Sequence, residues 1–515
     1  MMSSLFRGRP RRATSHISVR VAHTLLGGLA GVVWLVLPGM AFDDGASVAG
    51  ARAGAAQQVQ AQEDESSAAD LVLPLLVAGA AGAVAGYTYV RRTRRARTRT
   101  TPGGTLVAPW TPSAGELDAQ AQASLVMADD CIRTSRAELG FVEARFGKSA
   151  VAPFTAALRD AEGELRAAFR MRQQYDDGVP EEPAARRHAL AGVVGRCEEA
   201  GRRLDAEAAG FDRLRALEKG LGEALEVAEG RFRALAGRTG TVEALLADWH
   251  ERYAPSATAP VTGHTEQAKD RLVFATLRLN QSRQCADRAE TERAALHLCA
   301  AEGAIAQATV FLDGIERLAA ALTNAEALVP AALTGAEAEL ARAREGLADV
   351  PAGELRARIL RADGALALVR DERTTGPYDP LGALRRIVRS AGPLTTEPTA
   401  GVLGAAALLV GRTAISAADD VVATHRGAVG ATARTRLAEA GRLLTEDPTA
   451  AAEYAGEARD LAEQDVRVHG NPATEHESGV AGAILGGILL DAETPTAFGG
   501  PRTRARGPVG ELRTS

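Results

Sequence analysis

Three pairs of adjacent carboxylates, Asp129-Asp130, Asp176-Asp177 and Asp419-Asp420, are the residues of this 515-residue sequence best suited to holding a cation. A hard cation such as calcium takes about six to eight oxygen ligands, and none of the pairs sits in a loop that would supply the remainder. Solvated helix faces or helix ends are their expected setting. The four cysteines, Cys131, Cys197, Cys285 and Cys299, are scattered without a CxxC pair, so neither a zinc knuckle nor a dithiol motif is present and buried, reduced thiols are expected. On one continuous helix Cys285 and Cys299 would stand roughly 21 Å apart, out of disulfide reach. His297 and Cys299 are two residues apart and would face different directions on a helix, which removes them as joint metal ligands. The sequence contains no GxxxxGK[ST] phosphate loop, no GxSxG elbow and no HExxH pair. A catalytic constellation is therefore not legible. The expectation is a non-enzyme with no catalytic, cofactor-binding or metal-binding residues and no cofactor.

The elements that would position such groups are helices. Aromatic residues make up only 4% of the chain while 46% is hydrophobic, much of it alanine, a composition that favours helices packed closely through thin seams. From Glu116 to residue 470 the apolar residues recur at helical period, and period-two β-branched runs are missing. The clearest seam is Leu298, Ala301, Ile305, Ala308, Leu312, Ile315, Ala319 and Leu322, whose three-four spacing places all eight on one helix face. A second seam runs Leu214, Leu217, Leu221, Ala224, Ala228, Phe232 and Leu235. Turn signals at GVPEEP (178 to 183), APSATAP (254 to 260), GPYDP (376 to 380) and GPLTTEP (392 to 398) divide the body. They recur often enough to fold the helices back on one another, so intramolecular coiled-coil-like bundles are expected. The formal net charge of -5 argues against a generally basic nucleic-acid binder.

Ahead of the body stand two apolar runs. Arg7, Arg9, Arg11, Arg12 and Arg20 precede LLGGLAGVVWLVLPGMAF, the pattern of a signal peptide or signal anchor, with Ala51-Arg52-Ala53 as one small-x-small cleavage site. Residues 1 to 53 form this leader with its alanine-rich region, and 54 to 70 form a short acidic extracellular segment. The run LVLPLLVAGAAGAVAGYTYV, residues 71 to 90, carries no charge and is long enough to cross a bilayer, which takes about 20 residues. Arg91, Arg92, Arg94, Arg95, Arg97 and Arg99 follow it, a positive-inside signal that puts everything after them in the cytoplasm. Residues 91 to 115 read as this basic stop-transfer segment and a flexible linker, without the aromatic platform of a specific nucleic-acid binder. The partners expected are the lipid bilayer and, through the helices, another protein or a second copy.

Two later apolar patches are too short to span a membrane. GVLGAAALLVG, from Gly401 to Gly411, is expected as a buried helix. GVAGAILGGILL, from Gly479 to Leu490, is expected to touch a membrane or partner or to collapse onto the body, and the sequence beyond it reads as a disordered, mildly basic tail. These make up the last region, 471 to 515.

Taken together and in order, ELGFVEARFG, AAFRMRQQYDDGVPEE, RLDAEAAGFDRLRALE, EQAKDRLVFATLRLNQSRQ, GPYDPLGALRR, THRGAVGATARTRLAEA and LAEQDVR resemble the C-terminal region of the TPM-domain membrane proteins of high-GC Gram-positive bacteria. The likeness covers roughly residues 115 to 470. It implies a secreted TPM domain, one span and a long helical body inside the cell, with no catalytic residues assigned to the body. Here only a few tens of residues separate the leader from Leu71, too few for a folded α/β domain, so the TPM domain is expected to be absent. The functional expectation is a membrane-anchored scaffold or interaction protein without catalysis. The alternative is a truncated relative of a TPM-domain sensor or hydrolase, acting with a partner that supplies the missing domain.

Overall fold

The computed structural model describes residues 112 to 345, 353 to 394, 401 to 470, 480 to 488 and 498 to 505. The leader, the 71 to 90 run and Arg91, Arg92, Arg94, Arg95, Arg97 and Arg99 lie outside the described residues. Among those described, every regular element is a helix, and the only β pairing is an isolated bridge between Tyr253 and Tyr378. In chain order these are α1 (Ala114–Phe146), α2 (Ala152–Asp176), α3 (Pro183–Arg215), α4 (Leu217–Arg252), the single turn α5 (Pro255–Thr258), α6 (His264–Asp287) and α7 (Thr291–Glu345). They are followed by α8 (Gly353–Thr375), α9 (Pro380–Ala391), α10 (Gly401–Thr424), α11 (Ala431–Leu443), α12 (Pro448–His469) and two short helices, α13 (Val480–Leu485) and α14 (Pro501–Ala505).

The prolines of the turn signals mark where helices begin as much as where they end. Pro183, Pro255 and Pro380 each occupy the first turn of α3, α5 and α9, where a missing N–H removes no helical hydrogen bond. Asp379 caps α9 by accepting from the Gly382 N–H at 2.8 Å, and Asp447 caps α12 in the same way through Thr449 and Ala450. At the start of the body Ser113 and Glu116 form a reciprocal capping box on α1.

Two helix breaks carry no such signal. The second expected seam is not continuous: α3 ends and α4 begins at Ala216, which adopts a left-handed conformation with φ 41°. Leu214 therefore lies on a different helix from Leu217 to Leu235. Ala289, with φ 59°, separates α6 from α7, so Cys285 and Cys299 lie on successive helices and the single-helix spacing does not apply. Left-handed backbone disfavours any residue with a Cβ by roughly 1–2 kcal/mol. The surrounding packing must compensate at both alanines.

Three apolar cores organise the described body. The largest surrounds α7, which packs most extensively against α6 and also against α4, α9 and α10. Leu298, Ala301, Ile305, Ala308, Leu312, Ile315 and Leu322 are buried there, with Ala319 half-buried. Because several helices surround α7, its buried set is wider than one stripe and includes Ala304, Phe311 and Leu318. A second core joins α1, α2 and α3 through Leu125, Ile132, Phe154, Leu158, Val193 and Phe211, and a third joins α10, α11 and α12. Among the described residues two helices, α7 and α10, are long and apolar enough to cross a membrane by length and composition. In this fold α10 buries Leu403, Ala406, Ala407 and Val410 against its neighbours.

Beyond His469, residues 480 to 488 belong to the run expected to touch a membrane or partner or to collapse onto the body, and residues 498 to 505 to the expected disordered tail. Residues 480 to 488 dock on α6, α7 and the α10–α11 turn, where Gln307 and Arg426 both donate to the Gly486 carbonyl, at 3.1 and 2.7 Å. A Cβ at Gly486 would strike the Gln307 amide, so the glycine-rich composition permits this close approach. Residues 498 to 505 dock on α1 and α3, with Phe498 fully buried.

Candidate functional site

Two of the acidic pairs place a carboxylate in the interior, Asp129 and Asp420. Asp129 on α1 is buried, and accepts from Arg434 of α11 at 2.6 Å and from Arg133, one turn along α1, at 2.9 Å. Arg434, among the most deeply buried side chains, also donates to Asp130 at 2.8 Å and to the carbonyls of Arg426 and Val429. Arg133 reaches across to Asp419 of α10 at 2.8 Å, and the neighbouring Asp420 is buried against Arg317 of α7. Only Asp176-Asp177 matches its expected place, at the C-terminal end of α2, where Arg172 pairs with Asp176 and also reaches Asp118.

A second knot lies where α3 ends. Arg215, the last residue of α3, donates to Glu138 of α1 and to Glu302 of α7, all three buried. The break at Ala216 frees this guanidinium from helical neighbours and lets it point into the contact between three helices. A buried ion cannot be left unpaired without a cost of several kcal/mol, which explains the concentration of partners at each arginine. Together the two knots join α1–α3 to α7 and to α10–α11.

The environment sets the protonation of these groups. Burial pushes the Glu138 carboxyl up to about 7; Arg215 opposes this and the like charge of Glu302 adds to it. Burial also raises Glu302, against the pull of Arg215, and raises Asp420 to about 6 against Arg317. Asp129 goes the other way: burial is outweighed by Arg133 and Arg434, which hold it below the usual carboxylate range. His264 on α6 is held down to about 4, first by burial and then by Arg459. Its ring stacks edge-on to Phe311 at 5.1 Å, and its Nδ1 finds no hydrogen-bond partner among the described residues.

All four cysteines are free and buried. Burial lifts Cys131 to about 11 and Cys197 to about 12, and Cys299 is raised as well, so these three thiols stay protonated at neutral pH. His297 is half-buried on α7 beside the fully enclosed Cys299 and does not share a site with it. Among the described residues no three His, Cys, Asp or Glu side chains stand close enough to hold a metal ion. A groove of about 750 Å³ opens between α9, α10 and α12, floored by Val388, Ala407, Val410 and Ala414 and rimmed by Arg389 and Glu453, which pair at 3.0 Å. Its volume falls in the range of ligand sites, but the buried carboxylates of the junction do not line it.

The sequence contains no signal for the arginine partners, because Asp129 and Arg434 are 305 positions apart. The acidic pairs themselves stand out in the sequence, and the expected solvated setting fails only for Asp129 and Asp420, which are buried against arginines from other parts of the chain.

No family model matches the chain, and no solved structure does. Two curated proteins of Mycobacterium tuberculosis are similar to it: the UPF0603 protein MT2410 of strain CDC 1551 / Oshkosh and the UPF0603 protein Rv2345 of strain ATCC 25618 / H37Rv. Each is 31% identical over 426 residues, a match that takes in 75% of this chain and 64% of the relative's own length.

Proposed function

We propose that this chain is a membrane-tethered helical scaffold whose body presents docking faces to proteins on the cytoplasmic side and carries no catalysis. The observation that supports this reading is how the ionisable groups are placed. Carboxylates and arginines pair with one another between helices, and burial keeps Cys131, Cys197 and Cys299 protonated, so the chemistry of the body holds helices in register. The tether is the uncharged run 71 to 90, with its arginines from Arg91 to Arg99 on the inner side and the leader ahead of it. Long helices packed along the α7 seam in coiled-coil-like fashion form the rigid part. The resemblance to the helical region of TPM-domain proteins belongs to the same proposal.

Crosslinking in intact cells followed by mass spectrometry of the membrane fraction tests it. A reproducible cytoplasmic partner, or a second copy, supports the scaffold. Crosslinks confined to lipid, with the chain present at normal level, would overturn it. Capture of an extracellular TPM-domain protein would replace it with the truncated-relative reading. A reporter fused after Gly115 tests the orientation independently, since an external signal would reverse it.

A further inference from the structure

Phe498 enters the core of α1–α3 from the far end of the chain. Its ring stacks on Phe211 at 4.8 Å between centroids and 22° between planes, and meets Phe154 edge-on at 5.8 Å. The backbone that follows is read by polar groups. Gly499 N–H donates to the Ser135 hydroxyl at 3.2 Å. Asp205 on α3 accepts three times, from Gly500 N–H at 2.8 Å, Thr503 N–H at 3.0 Å and the Thr503 hydroxyl at 2.6 Å. Pro501 lies on Gly201, where a Cβ would come within 2.7 Å of its ring, and a Cβ at Gly500 would collide with the Gly201 backbone. Arg504 donates to the Cys131 carbonyl at 3.1 Å.

Every one of these contacts is made by seven consecutive residues, Phe498 to Arg504, so the segment carries its own recognition: an aromatic anchor, a glycine pair that lets the backbone approach, and N–H groups for a carboxylate. This is how linear peptides are bound, by main-chain hydrogen bonds for affinity and one filled pocket for specificity. We propose that the slot formed by Phe154, Phe211, Ser135, Gly201 and Asp205 is a docking site for the linear segment Phe498–Arg504, filled in cis by the chain's own end and able to receive the same segment from a second copy. The covalent connection gives the cis segment an effective concentration of the order of millimolar, so a second copy enters only when the cis segment is released. Exchange of an identical element between protomers is a low-cost route to self-association. The inference deepens the scaffold reading by naming one docking site. It is tested on purified chains, so its failure would leave the cell-crosslinking result untouched.

The test uses the chain in detergent, with residues 498 to 515 deleted, and a fluorescein-labelled peptide of sequence Phe498–Arg504 followed by fluorescence anisotropy. The deletion chain should bind the peptide saturably, and the intact chain roughly tenfold more weakly because its slot is filled. Asp205→Asn in the deletion chain, or Phe498→Ala in the peptide, should each weaken binding by roughly tenfold or more, as loss of a central anchor does. Should the deletion chain lose its helical spectrum, the intact chain carrying Phe498→Ala replaces it and should bind the peptide more tightly than the unaltered chain. Transfer between copies is tested by mixing the deletion chain with an intact chain carrying Asp205→Asn. A one-to-one complex by light scattering, absent from either chain alone, is expected. Failure of both slot-emptied chains to bind the peptide, or binding indifferent to Asp205→Asn and to Phe498→Ala, overturns the site; absence of the mixed complex overturns the exchange.

Discussion

Ile305, Leu312 and Ile315 on α7 are as deeply buried as Arg434 and Glu138 at the charge junction, yet the two regions are held together by opposite physics. On α7 many weak dispersion contacts and the removal of apolar surface from water act along one helix, and each residue contributes on its own. At the junction the contributions come in sets: Arg215 with Glu138 and Glu302, Arg434 with Asp129 and Asp130. Removal of the arginine strands its carboxylates. The apolar seam sets how strongly the body holds together, and the ionic knots set which helices meet.

The largest expected effect breaks a set. Arg215→Met leaves Glu138 and Glu302 buried without the cation that hydrogen-bonds both and should cost about 3–5 kcal/mol in denaturant unfolding. The triple variant Arg215→Met, Glu138→Gln, Glu302→Gln should recover most of that loss. If the single and triple variants were equally unstable, the knot would act through packing alone and the contrast with α7 would disappear.

Next come the seam variants. Ile305→Ala, Leu312→Ala and Ile315→Ala should each cost about 2–5 kcal/mol, the range for buried aliphatic truncations. Since this chain's own helices cover these residues, the midpoint should fall with no change in mass by light scattering. A concentration-dependent midpoint would move the seam to an interface between chains.

A smaller effect depends on pH. The Glu138 carboxyl rises from the ordinary 4.5 to about 7 on folding, so its contribution to stability is present in full below 4.5 and is lost as pH rises through 7. Glu138→Gln mimics the protonated form. The variant should match the unaltered chain near about pH 4.5 and exceed it above about pH 8, by on the order of 1–3 kcal/mol. His264 and Asp420 titrate in both chains and cancel in the difference. A gap that stayed constant with pH would place the titration elsewhere.

The smallest effect serves as the control. Arg342 pairs with Glu339 one turn back on the exposed face of α7, and Arg342→Ala should change stability by less than about 1 kcal/mol. A loss comparable to that of Arg215→Met would mean that burial does not separate the two kinds of pair.

What the sequence revealed follows the same division. Residues three and four apart meet on a helix, so the residues spaced this way from Leu298 to Leu322 lie along a buried face, and the turn signals containing Pro183, Pro255 and Pro380 fall between helices, each proline opening the next one. That rule sees one face at a time, and it missed Ala304, Phe311 and Leu318, which are buried because α7 is surrounded. It missed the breaks at Ala216 and Ala289 because alanine, the best helix former, carries no turn signal. The ionic knots and the slot for Phe498 join residues up to hundreds of positions apart, and no local pattern encodes such a pairing.

Ser135 and Gly499 are 364 positions apart and are hydrogen-bonded. A ribosome adds residues from the N-terminus at roughly 5–20 per second, so α1, α2 and α3 emerge and collapse well before the residue that completes their aromatic core exists. During that interval Phe154 and Phe211 lack the ring that packs against them. The three helices must hold their arrangement without it, or exchange a provisional one when Phe498 leaves the exit tunnel. A chain cut before Phe498 would then lose part of a core whose other members lie hundreds of residues earlier.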